Sequence, residues 1–166
     1  VWLKEADALK PIMFQQTKKP RPRCLMGFTY GVETPVGKTF VTVNENGDAQ
    51  PFEVFINTAK AGSDVAADSE AIARLISYIL RLASPVEPTQ RLQEIWRQTS
   101  DLGGGRPLGF GPNRVRSLPD GVAQVLAGQS AQYDALAAAV AAGIENRAVL
   151  DPARLARMTE AERSSI

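Results

Sequence analysis

The sequence predicts an α+β domain: a three-stranded antiparallel β-meander packed against a long helix, with further C-terminal helices. Three observations carry this. Three short β-patterned runs follow one another between Gly27 and Thr58, with only turn residues between them. The longest helical pattern in the chain, from about Asp64 to Leu82, comes directly after them. Strands in succession and then helices place the helices on one face of the sheet.

Taken in order, Val1–Phe14 carries Trp2, Leu3, Leu9, Ile12, Met13 and Phe14 among a few charges, and Pro11 limits any helix to its first half. Thr17–Arg23 sets four cations beside two prolines with no acidic residue. That run reads either as a basic contact for nucleic acid or an acidic partner, or as an extended linker. Missing N–H donors and mutually repelling charges favour the linker. In the first strand Phe28, Tyr30 and Val32 alternate with Thr29 and Gly31, and Pro35-Val36-Gly37 makes the turn. Thr39–Val43 is rich in β-branched residues, and Asn46-Gly47 closes the next hairpin. In the third strand Phe52, Val54 and Ile56 share one face, with Glu53, Phe55 and Asn57 on the other.

The helix that follows is the expected spine, about 28 Å long at the standard rise. Ile72, Leu75, Ile76, Ile79 and Leu82 recur at helical spacing and are expected to face the core. Asp68, Glu70, Arg74, Ser77 and Arg81 fill the opposite side, with Glu70 and Arg74 in the order that favours an ion pair. Pro85 and Pro88 break the pattern, and Thr89–Gln98 reads as a shorter helix with Leu92, Ile95 and Trp96 inward. Ser100–Asp120 holds five glycines and three prolines, too many for a regular element. Leu108, Phe110 and Val115 are expected to anchor this loop to the core, while Arg106, Arg114 and Arg116 make it basic. Ser117 is placed to cap a helix with Pro119 and Asp120 in its first turn, running to about Leu126. Ser130–Ala142 is an alanine-rich amphipathic helix, and Asp151-Pro152 can begin a last one. The division expected is an N-terminal segment with its basic linker over 1–23, an α+β domain over 24–127, and a helical extension over 128–166.

Composition bounds the chemistry. The chain has 166 residues, 44% hydrophobic and 22% charged, enough for one ordinary core without a disulfide or metal staple. A net charge of +1 exerts no global pull on nucleic acid or on an anionic membrane and argues against either as partner. One cysteine and no long apolar run fit a reducing cytoplasm and no membrane span. The first residue is Val1 and no signal peptide is visible, as expected of a segment cut from a longer chain or of a processed one. The absence of histidine excludes Ser-His-Asp and Cys-His catalysis and every histidine-based metal site. Cys24 alone makes neither a redox pair nor a thiolate cage, so no catalytic residue is assigned.

Three groups are candidates for contact. Lys60, Gly62, Ser63 and the amides opening the spine helix can hold an anion such as a phosphate, or form an ordinary glycine turn capped by Ser63 or Asp64. Asp64 and Asp68 can bind a hard cation or simply favour the helix N-terminus. Arg106, Arg114 and Arg116 either grip another protein surface or a nucleotide, or are solvated on a surface loop.

Arg116-Ser117-Leu118-Pro119-Asp120 resembles the Thr-Ser-Cys-Pro-Asp signature of the TSCPD domain, found near the C-terminus of adenosylcobalamin-dependent (class II) ribonucleotide reductases. Upstream, the run from Arg21 through Cys24 and Gly27 to Tyr30 is similar to the family's Arg-Pro-x-x-Leu-x-Gly-x-Thr-Tyr opening. Phe40–Glu45, Pro51–Ile56 and Lys60-Ala61-Gly62 through Arg74–Ser77 also follow its pattern, so the resemblance covers about Arg21 to Leu126. Relatives often carry four cysteines, a set suited to a metal, near the turns that converge on the signature. Here those neighbourhoods hold Pro35-Val36, Asp64, Ser100-Asp101 and Leu118, so the resemblance implies no thiolate metal site in this chain. In the family's reductases the chemistry belongs to a separate barrel with several cysteines, which one cysteine cannot supply. The resemblance therefore implies a noncatalytic accessory C-terminal domain, or small subunit, of an adenosylcobalamin-dependent ribonucleoside-diphosphate reductase. Its partner would be the catalytic domain or chain that turns ribonucleotides into 2′-deoxyribonucleotides. The adenosylcobalamin would be bound by that parent enzyme and not by this segment. A free-standing nucleotide- or nucleic-acid-binding module that kept the fold without the enzyme is the alternative.

Overall fold

A computed structural model describes residues 18–58 and 62–141. The Val1–Phe14 segment, Lys60 and the helix expected from Asp151 lie outside the described residues. Three antiparallel strands come first: β1 (Met26–Thr34), β2 (Gly37–Glu45) and β3 (Pro51–Thr58), in the order β1-β2-β3. Three helices follow: α1 (Asp64–Arg81), α2 (Pro88–Thr99) and α3 (Leu118–Ala141). This is the α+β arrangement that the order of patterns predicts.

Register decides which side chains meet the helices. Phe28 pairs with Val43 and Val43 with Val54, while Tyr30 pairs with Val41 and Val41 with Ile56. This face joins Ala73, Ile76 and Leu80 of α1, Leu92 and Ile95 of α2, and Leu118, Val122, Leu126 and Tyr133 of α3 in one buried cluster. The second hairpin forms where Asn46-Gly47 indicates, but the asparagine side chain builds it. Asn46 Oδ1 accepts from the N–H groups of Asp48 and Gln50, both at 3.0 Å, and Ala49 takes the left-handed backbone (φ 55°).

The spine helix is rotated from its expected face by about a quarter turn at 3.6 residues per turn. Ser69, Ala73, Ile76 and Leu80 are the buried residues of α1, whereas Leu75 is 64% and Ile79 37% exposed. Ser77, expected on the solvent side, accepts from Val54 N–H (2.9 Å) and donates to Val54 C=O (3.0 Å). It thereby satisfies polar groups on the edge strand β3, whose other side pairs with β2. Small side chains at 69, 73 and 77 let the helix come close enough to make these bonds. Covering a strand edge outweighs burying the bulkiest stripe. Arg81 is also engaged: its guanidinium donates to Lys19 C=O (2.8 and 3.1 Å) and lies 5.1 Å from the Phe52 ring. The basic run is fastened at Lys19 by that contact and at Arg21 by the Arg21–Glu53 ion pair at 2.8 Å.

Arg91 of α2 is 7% exposed and caps α1, donating to Leu80 C=O (2.9 Å) and Leu82 C=O (2.7 Å). Burial depresses its pKa, and Glu87 opposes that shift. The helices expected to Leu126 and from Ser130 are one continuous helix, α3, because nothing between them breaks the pattern strongly enough. Gly121 brings α3 close to the sheet: a Cβ there would stand 2.9 Å from Thr34 Cγ2. Among the described residues no helix is long and apolar enough to cross a membrane.

Candidate partner-contact site

The loop between α2 and α3 contains the signature-like residues, and a single carboxylate organises it. Asp120 is 4% exposed. Its Oδ1 accepts from Asp101 N–H and its Oδ2 from Arg116 N–H, each at 2.8 Å. Both ends of the loop are thus tied to one side chain in the first turn of α3. Ser117 Oγ accepts from Asp120 N–H (3.3 Å) and donates to Leu102 C=O (2.7 Å). This is a variant of the reciprocal cap in which Ser-x-x-Asp satisfies the open amides of a helix start. That spacing was the signal in the sequence for Asp120; its role in closing the loop was not legible there.

Within the loop, Leu108 and Val115 exchange two backbone hydrogen bonds of 2.8 Å, and a single 3₁₀ turn (Gly111–Asn113) lies between them. Only Val115 anchors the loop as expected. Leu108 is 43% and Phe110 93% exposed, because the two-residue ladder turns the tip outward. Arg106, Arg114 and Arg116 are all exposed. Arg116 pairs with Asp101 at 3.0 Å, while Arg106 and Arg114 have no carboxylate partner among the described residues. A braced tip carrying an aromatic ring and unpaired guanidinium groups can enter a carboxylate-bordered apolar surface on another molecule.

Gly62 and Ser63 lead into α1. Ser63 Oγ accepts from Ala66 N–H (3.2 Å), so it caps the helix. The turns expected to converge on the signature do meet. Val36, Val65, Ile72, Leu75, Leu118 and Pro119 border an apolar depression of about 480 Å³. Cys24 is exposed, and among the described residues no group of three or more His, Cys, Asp or Glu could hold a metal. The donors at this convergence therefore do not fit a bound metal.

A family model for the TSCPD domain matches residues 14–129, more than half of the chain. No curated protein and no solved structure matches.

Proposed function

The chain belongs to the TSCPD domain family, and on that premise we propose that it is a noncatalytic accessory domain or small subunit of an adenosylcobalamin-dependent ribonucleotide reductase. The TSCPD domain is found in ribonucleotide reductase-related proteins. In this reading the radical chemistry, the cofactor and the substrate belong to the catalytic chain, in the cytoplasm, and this chain docks on it. The observation that carries the docking role is the braced loop tip with Phe110 in solvent beside Arg106 and Arg114. A buried carboxylate fixes the loop before any partner arrives, so little ordering entropy is lost on association.

The test is affinity for the catalytic chain of a class II reductase, measured with the parent protein and with Arg106, Arg114 and Arg116 all replaced by alanine. The melting temperature should barely change, since these side chains are exposed. Affinity should fall at least about tenfold, and binding of the parent should weaken with salt. Undiminished binding by the variant would remove the loop from the interface. Ribonucleotide turnover by this chain alone would overthrow the accessory role.

A further inference from the structure

The sheet face opposite the buried cluster carries a second unassigned surface. Register places Gly31, Phe40 and Asn57 in one row and Thr29, Thr42 and Phe55 in the next. Phe40 and Phe55 are therefore diagonal neighbours on adjacent strands, within mutual reach of aromatic rings. They are 43% and 46% exposed. The Phe40 ring extends over Gly31, where even an added Cβ would already touch Cε1 at 3.6 Å.

This face and α1 form the floor and wall of a trough of about 1040 Å³. Tyr78 stands on the wall and is 43% exposed. The cations bordering the trough are Lys18, Lys38, Arg74 and Arg81, and the acids are Glu53, Asp64 and Glu70. Two of these acids are already compensated, Glu53 by Arg21 at 2.8 Å and Glu70 by Arg74 at 2.5 Å. Lys38 Nζ lies 5.4 Å from the Phe40 centroid, and Arg81 bonds only carbonyl oxygen among the described residues. The whole chain is nearly neutral, but the fold gathers uncompensated positive charge beside two open rings.

We propose that this trough binds single-stranded nucleic acid, with bases stacked on Phe40 and Phe55 and phosphates held by Lys38 and Arg81. Rings give stacking that tolerates any base, and flanking cations give the salt-dependent part of the affinity. A wall 18 residues long, about 27 Å at the helical rise, suits an extended strand rather than one nucleotide. The site is separate from the arginine loop, whose three arginines do not border the trough.

The experiment is fluorescence anisotropy of the full chain with a labelled single strand of about twelve nucleotides, at about 50 and about 200 mM salt. Micromolar binding that weakens with salt is expected. Replacing Phe40 and Phe55 together by alanine should lower affinity at least about tenfold, with the chain still folded by circular dichroism because neither ring belongs to the buried cluster. Tyrosine at both positions should keep the binding. Lys38→Glu should weaken it and flatten its salt dependence. No binding at about 100 μM protein in low salt would overturn the proposal, as would a double alanine variant that binds like the parent. So would equal affinity for duplex, displacement by a mononucleotide as effective as displacement by unlabelled strand, or equal displacement by an acidic peptide.

Discussion

Asp120→Asn is the sharpest probe of the contact loop, because it keeps the size of the side chain and removes one acceptor. Asp101 N–H and Arg116 N–H lie 2.8 Å from different carboxylate oxygens. However the new amide is turned, its NH2 group faces one of these two donors. One part-buried backbone N–H is then left without a partner, which costs about 1–3 kcal/mol. The other bond survives but loses the charge that strengthened it. The expected total is about 2 kcal/mol, a fall in melting temperature of about 4–8 °C for a chain of this size. Asp120→Ala removes both acceptors and should cost more. Urea denaturation gives the free energy, and amide hydrogen exchange shows its location: Asp101 and Arg116 should exchange faster than amides in β2. If the asparagine variant matches its parent within about 0.5 kcal/mol, or those two amides are unaffected, Asp120 does not hold the loop.

The remaining predictions concern the spine and the sheet. Leu80, 1% exposed, should cost about 2–5 kcal/mol on replacement by alanine, whereas Leu75, 64% exposed, should stay within about 0.5 kcal/mol in the same urea melts. Equal effects would mean that α1 is turned the other way. Burial acts to raise the Glu53 pKa, but hydrogen bonds from Arg21 and Asn44 outweigh it, and the carboxyl is held below the ordinary range. Its contribution to stability should therefore be complete above the unfolded pKa of about 4.3 and be lost as pH falls through the lower folded value. Glu53→Gln should be less stable than the parent near neutral pH, with the gap closing in acid. A gap that stays constant to the most acid pH at which the chain still folds would refute the link.

How much could be read beforehand differs from element to element. The strands were legible because alternation at period two is local: each side chain's face follows from its neighbours in the chain. The hairpins and the existence of α1 and α2 were legible for the same reason, through turn residues, prolines and helical spacing. The Ser-Leu-Pro-Asp start of α3 and its place in the family signature were legible too.

What tertiary structure decided is everything that depends on a distant backbone. Periodicity ranked the Leu75–Ile79 stripe of α1 as the core face, since it counts apolar bulk. The actual face is chosen by the open edge of β3, whose polar groups need Ser77 and a close approach through Ser69 and Ala73. Asp120 became the hub of the loop only when Asp101 and Arg116 were brought to it from either side. Phe110 looked like an anchor because phenylalanine is usually buried, but the Leu108–Val115 ladder and its 3₁₀ turn direct the tip outward. Composition specified how much apolar surface and charge the chain carries. Which part is buried and which stays exposed was settled by where unsatisfied backbone groups found their hydrogen bonds.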